Sequence, residues 1–178
     1  MLFKKIGLVD NKIFYESHKL SKSIVKIISK IDGLVVINQY LNNLYKESNI
    51  KRVLTAHDGV NIEEYKDIST YKFMPNKKQY TILYTGSLFS WKGVETLVDC
   101  MKYLPKNFNL ICIGGSGKYL SNFKSYTNKV LESSRIRVVA HMPKGGLLKY
   151  IEIADVLVLP NSAKDKMSLY TSPIKLFE

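Results

Sequence analysis

Short apolar, β-branched runs alternate along this chain with longer segments of helical period. The runs are Leu34–Ile37, Val53–Ala56, Thr81–Tyr84, Leu110–Ile113, Val138–Ala140 and Val156–Leu159. Between them, residues 19–31, 39–48, 93–104, 118–133 and 145–154 repeat their apolar positions at helical spacing. Apolar runs without polar alternation predict strands buried on both faces. Their alternation with helices predicts a parallel sheet of βαβ units, a doubly wound α/β architecture.

Within 19–31 the pattern places Leu20, Ile24, Ile27, Ile28 and Ile31 on one face, with Lys19, Lys22, Lys26 and Lys30 largely off it. Such an amphipathic helix covers a sheet, and the same pattern suits an anionic membrane surface. Core packing is the expectation. The best break in the pattern is His57-Asp58-Gly59-Val60-Asn61 with the polar stretch to Gln79. A boundary near residue 60 leaves too short an N-terminal piece for a full doubly wound domain.

Composition narrows the classes. The 178 residues are 46% hydrophobic with 10 Gly and 5 Pro, which excludes a disordered or collagen-like chain and predicts a buried core. No apolar stretch reaches the length of a membrane-spanning helix, and no signal-type run follows Met1-Leu2-Phe3-Lys4-Lys5, so a cytoplasmic protein is expected. Cys100 and Cys112 stand apart from any Cys/His cluster and read as small buried hydrophobes, without a metal site. The net charge of +12 comes from 24 lysines and three arginines spread along the chain. That is the charge of a solvated surface more than of a nucleic-acid reader, which leans on clustered or arginine-borne charge.

In a doubly wound sheet, ligands bind at the carboxyl ends of strands, so the loops after them are where chemistry is expected. The first is Tyr84-Thr85-Gly86-Ser87-Leu88-Phe89-Ser90-Trp91-Lys92-Gly93, leading into a helix near Val94. A glycine exit, a helix start and the cation of Lys92 suit an anion such as phosphate. The second is Gly114-Gly115-Ser116-Gly117-Lys118 after a buried strand. A Walker A loop needs glycine at 112 and Ser or Thr at 119, where Cys112 and Tyr119 stand, and no dinucleotide fingerprint can be read. These glycines invite close approach of either a ligand or a neighbouring backbone. The third is Ala154-Asp155-Val156 to Pro160, followed by Ser172-Pro173, a cap and first-turn pair that predicts a helix start. The apolar face at Ile174 and Phe177 has no continuation, and the expectation is that the chain is a fragment.

This ordered set of His57-Asp58-Gly59-Val60-Asn61, Gly86-Ser87-Leu88 with Lys92-Gly93, Gly114-Gly115-Ser116-Gly117, Ala154-Asp155-Val156 to Pro160, and Ser172-Pro173-Ile174-Lys175-Leu176-Phe177-Glu178 resembles a family 4 (group 1) glycosyltransferase of the GT-B fold. The resemblance implies two Rossmann-like domains. Residues 1–58 would be a remnant of the N-terminal acceptor-side domain, 59–79 an interdomain connection, and 80–178 a donor-binding domain incomplete at its C-terminus. It implies that Lys92 binds the donor diphosphate and stabilises the charge developing on it, and that His18, in Phe14-Tyr15-Glu16-Ser17-His18, approaches the donor sugar; these two are the catalytic expectations. Gly86, Ser87, Gly114, Gly115, His141 and Met142 would line the donor. Tyr170, Thr171, Ser172, Lys175 and Glu178 would complete its binding, Glu178 holding the ribose hydroxyls. Two positions depart from the family pattern. Ser87 stands where an arginine often forms a second diphosphate clamp, and Tyr170 stands where the first of two glutamates is usual.

The implied reaction is retaining transfer of a hexose from a nucleoside diphosphate sugar to a hydroxyl of a glycan or lipid-linked acceptor. No cofactor beyond that donor is implied. The chain contains no Asp-x-Asp, which agrees with charge neutralisation by protein cations in place of a metal. The alternatives are a non-catalytic nucleotide-sugar binding module or half of a split enzyme, with a homodimer or partner subunit completing the fold. A further one is a basic binder of nucleic acid or of the inner membrane face.

Overall fold

A computed structural model describes residues 12–66, 78–162, 166–172 and 174–176. They form two compact units: the described residues within Met1–Val60 together with Lys166–Phe177, and those within Asn61–Asp165. The parallel α/β architecture expected from the alternation is present in both.

The first unit holds a three-stranded parallel sheet in the order β1-β2-β3, from Phe14–Ser17, Gly33–Val36 and Val53–Thr55. Helix α1 spans Lys22–Ile27 and continues as a 3-10 turn through Lys30, and α2 spans Gln39–Glu47. Leu34, Val36, Ile37, Leu41, Tyr45 and Ile50 form the core here, with Val25, Ile28 and Tyr170 packed against it. Asn38 caps α2: its Oδ1 accepts the Leu41 amide at 2.9 Å. The same side chain donates to the carbonyls of Leu169 and Thr171, tying Lys166–Tyr170 to the unit.

Strand β1 was not foreseen, because its outward residues break any apolar run: Phe14 is 62% exposed and Glu16 is charged. The expected helix 19–31 is shorter than its pattern, and its inward stripe is rotated. Val25 and Ile28 face the core while Leu20, which precedes the helix, and Ile27 stay exposed. Ile24's side chain lies outside the described residues.

The second unit is a four-stranded parallel sheet in the order β6-β5-β4-β7, built from Ile136–Val139, Phe108–Ile113, Tyr80–Thr85 and Val156–Leu157. Helices α3 (Val94–Cys100), α4 (Gly117–Val130) and α5 (Lys144–Ile153) join consecutive strands. Alternation along β4 and β5 sorts the helices. Ile82, Tyr84, Leu110 and Cys112 pack under α3 and α4 with Leu97, Val98 and Phe123, while Leu83 and Ile113 point to the other face, where Leu147 of α5 meets them. Both faces are covered, so this sheet is doubly wound.

Two expectations fail on position within these layers. Val156 and Leu157 are 43% and 50% exposed, since β7 is a two-residue edge strand pairing with β4 alone. Cys100 is exposed, because α3 turns Leu97, Val98 and Met101 inward and leaves position 100 on its outer side. Cys112 is buried as expected, and burial pushes its thiol up to about 12.

Arg135 is a buried cation of this unit, 9% exposed just before β6. Its guanidinium donates to the carbonyls of Leu104, Pro105 and Phe108 at 3.1–3.4 Å, closing the entry to β5. Arg135→Leu leaves those carbonyls without their donor. The expected cost is about 2 kcal/mol, read as a lower urea midpoint at unchanged m-value.

Candidate functional site

The order β6-β5-β4-β7 contains a topological switch: from β4 the chain moves outward through β5 to β6, then returns to the far side of β4 as β7. Crevices form at the carboxyl ends of strands where the order reverses, here beside the loops that leave β4 and β7. Lys92 lies in the β4 loop, at the end of a 3-10 turn spanning Ser90–Lys92.

The loops at this edge are tied to one another by backbone. Gly86 N donates to the Ile113 carbonyl, Gly114 N to that of Val139 and His141 N to that of Gly115, all at 3.0–3.1 Å. A Cβ on Gly114 would stand 1.8 Å from the Gly86 carbonyl oxygen. The neighbouring backbone thus makes one of the close approaches that the sequence allowed at this glycine. Tyr84 supports the turn from below, its hydroxyl donating to the Ser87 carbonyl at 2.6 Å. Burial raises that phenol far above its ordinary range, so it stays a neutral donor. Gly93 adopts the left-handed conformation at φ +69, and a Cβ there would meet the Pro160 carbonyl oxygen at 1.8 Å. Ser162 N donates to the Trp91 carbonyl at 2.9 Å, completing the seam between the two switch-point loops.

Lys92 is half-buried in this seam, and its Nζ lies 4.2 Å from the centre of the Trp91 ring. Burial lowers its pKa, with no other cause, and among the described residues no carboxylate pairs with it. A cation held this way offers its charge to an incoming anion. Phe89 stacks near Trp91 and meets Tyr119 edge-on with ring centres 5.0 Å apart, giving the loop an aromatic flank. His141 is exposed, while Met142 is half-buried against the cluster of Leu83, Ile113 and Leu147.

The second unit thus brings together Gly86, Ser87, Lys92, Gly114, Gly115, His141 and Met142. His18, Tyr170, Thr171 and Ser172 belong to the first unit. There the Thr171 hydroxyl donates to the Ser168 carbonyl at 2.7 Å, and the Tyr170 ring meets Tyr40 edge-on. The Ser172 hydroxyl accepts the Asp58 amide at 3.0 Å. Ile174–Leu176 forms a 3-10 turn, and the Pro173 of the expected Ser172-Pro173 helix start lies outside the described residues. The Lys175 side chain, Pro173, Phe177 and Glu178 lie outside the described residues.

His18 sits just past β1, with Nε2 at 2.7 Å from Glu16 Oε1. Asp58 completes a cluster in which the three side chains each bring one donor atom within 4.8 Å of the others. Glu16 and Asp58 were not singled out in the sequence, although an outward residue two positions before His18 on a strand end shares its side. A cavity of about 400 Å³ opens at the opposite, amino end of this sheet, lined by Ile28, Ile31, Gly33, Ile50, Lys51 and Arg52.

The profile of the family described as glycosyl transferases group 1 matches residues 66–167. The chain belongs to that family. Two uncharacterized glycosyltransferases of Methanocaldococcus jannaschii are 29% and 25% identical to this group 1 chain over 69% and 75% of its length. The chain spans about a third of those relatives, 36% and 34%. A glycosyltransferase from Rickettsia africae superposes with a TM-score of 0.70 at 14% identity, over 90% of this chain and 48% of that one. HepE of Anabaena, solved in complex with UDP-glucose, superposes at 0.62 and 12% identity, over 85% and 47%. These likenesses are of fold, and the fold is GT-B. Among the described residues, no helix is long and apolar enough to cross a membrane.

Proposed function

We propose that this group 1 chain serves the retaining transfer of a hexose from a nucleoside diphosphate sugar to a hydroxyl of a glycan or lipid-linked acceptor. The observation that carries the reading is the half-buried cation of Lys92 at the switch point, without a carboxylate partner among the described residues. Its ammonium would take the donor diphosphate and neutralise the charge that accumulates as the bond to the sugar breaks. A cation already in place supplies that charge from the protein, so no metal is assigned to the step. The seam of Gly86, Gly114 and Gly93 holds the cation's loop without reorganisation during reaction. His18 would serve the donor sugar from the first unit, and Thr171, Ser172, Lys175 and Glu178 would complete the donor site. Solved proteins of this fold bound to UDP-glucose and UDP-2-fluoro glucose support a uridine donor as the first to test.

The test is calorimetric titration of the chain with UDP, GDP and ADP, followed by assay of nucleoside diphosphate release from the matching sugar nucleotide. Saturable binding of one diphosphate in the micromolar range is the expected result. No heat at millimolar concentration of any of the three overturns the reading.

A further inference from the structure

The segment that carries His18 is held in place by groups that a donor-site role for the histidine alone does not require. Ser17 and Tyr45 are 2% and 0% exposed, and their hydroxyls meet at 2.8 Å. The Ser17 hydroxyl lies 2.7 Å, and that of Tyr45 2.9 Å, from the Lys19 carbonyl oxygen. This buried network fixes the backbone from 17 to 19 against α2. With Ser17 turned inward, its neighbours Glu16 and His18 must both turn outward on the same side.

We propose that Glu16 is a positioning residue for His18 in the glycosyl-transfer reaction, with the Asp58 side chain in the same cluster. The proposal rests on the reading of His18 given above. A carboxylate only accepts hydrogen bonds, so in the 2.7 Å contact His18 Nε2 is the donor, and in the neutral imidazole Nδ1 is then the acceptor. The contact therefore selects one tautomer and one ring orientation. An imidazole held this way presents an acceptor nitrogen to a sugar hydroxyl, and Glu16 itself touches no substrate. The Asp58 backbone is held in turn, since its amide donates to the Ser172 hydroxyl at 3.0 Å. The sequence pattern Glu-x-His at the end of β1 and the aspartate after β3 thus converge on one ring.

The test reads the ring directly. In chain labelled with nitrogen-15, with the His18 signals assigned by loss in His18→Gln, long-range proton–nitrogen correlation is expected to show the Nε2–H tautomer. Glu16→Ala shifts the ring toward a tautomer mixture, and Glu16→Gln, which keeps an acceptor oxygen, restores most of the original population. In transfer assays Glu16→Ala lowers kcat by about 10- to 100-fold at a donor KM within about twofold of the parent. The double variant with His18→Ala is no slower than His18→Ala alone. Unchanged ring nitrogens and rate in Glu16→Ala overturn the proposal while leaving His18 its role. An unchanged rate in His18→Ala overturns that role, and with it the catalytic meaning of the Glu16 contact. Stoichiometric displacement of the ring signals by Zn2+ makes the three side chains a metal site and also overturns the proposal.

Discussion

Lys92→Ala is expected to raise the Kd for the bound nucleoside diphosphate by about 30- to 100-fold, the loss of roughly 2–3 kcal/mol of charge-assisted hydrogen bonding in a half-buried site. The same change should not harm the fold. Burial alone lowers the Lys92 pKa, so the folded protein holds the ammonium against its preference. The sign follows from comparing the two states. Below the lowered folded value the side chain is charged both folded and unfolded, and folding bears the desolvation cost in full. As the pH rises past that value toward that of an unfolded lysine, the folded chain sheds its proton first and the cost fades. Lys92→Met therefore raises Tm at pH 7 while weakening binding as Lys92→Ala does, and its advantage over the parent narrows in alkaline buffer. A bound diphosphate has the opposite effect, since an anion beside Nζ favours the charged form. Titration in alkaline buffers of differing ionisation enthalpy should show proton uptake on binding. Unchanged affinity in Lys92→Ala would remove the cation from the donor site and sink the proposed function with it.

The second large effect is structural. Gly114→Ala and Gly93→Ala are each expected to cost about 3 kcal/mol or more, seen as a fall in Tm and in urea midpoint. In both cases the new Cβ would meet a carbonyl oxygen at 1.8 Å, that of Gly86 or of Pro160, and a backbone oxygen cannot rotate aside. Gly93 adds a left-handed φ of +69, which an alanine adopts only under strain. Gly145→Ala is the control: a Cβ there has open space within α5, so the change is neutral or stabilises by up to about 1 kcal/mol. Equal behaviour of all three variants would mean that the close approach of these loops does not hold in solution.

Most of the second unit was legible in the pattern of residues. Apolar runs at 81–84, 110–113 and 138–140 mark β4, β5 and β6 to within two residues; β4 and β5 are central parallel strands covered on both faces, so their sequences need not alternate. The same rule overlooks β1, which is exposed and carries Glu16, and overstates β7, whose apolar side chains sit at an edge. Periodicity reports that a residue is apolar, and only its neighbours decide whether it is covered. Cys100 shows this in one residue, being apolar by type and exposed by its turn on α3.

The site divides in the same way. Lys92 could be picked out because a strand, a glycine and a basic residue before a helix form a local pattern, readable within ten residues. The reason for Gly114 could not, since its partner Gly86 is 28 residues away in sequence and adjacent only once β4 and β5 pair. Glu16 and Asp58 are separated by 42 residues and reach His18 from β1 and from the loop after β3.

By itself the sequence determined the local decisions: helix against strand, the parallel class, the loops that end strands and the one cation poised at a loop's end. These depend on residue type and spacing along the chain, where hydrophobic period and glycine geometry act directly. The tertiary structure alone decided the strand order that places the switch point beside β4 and β7, the half-burial of Lys92 and the carboxylates around His18. Each of those rests on distances between residues far apart in sequence, and burial and Coulomb attraction act through space.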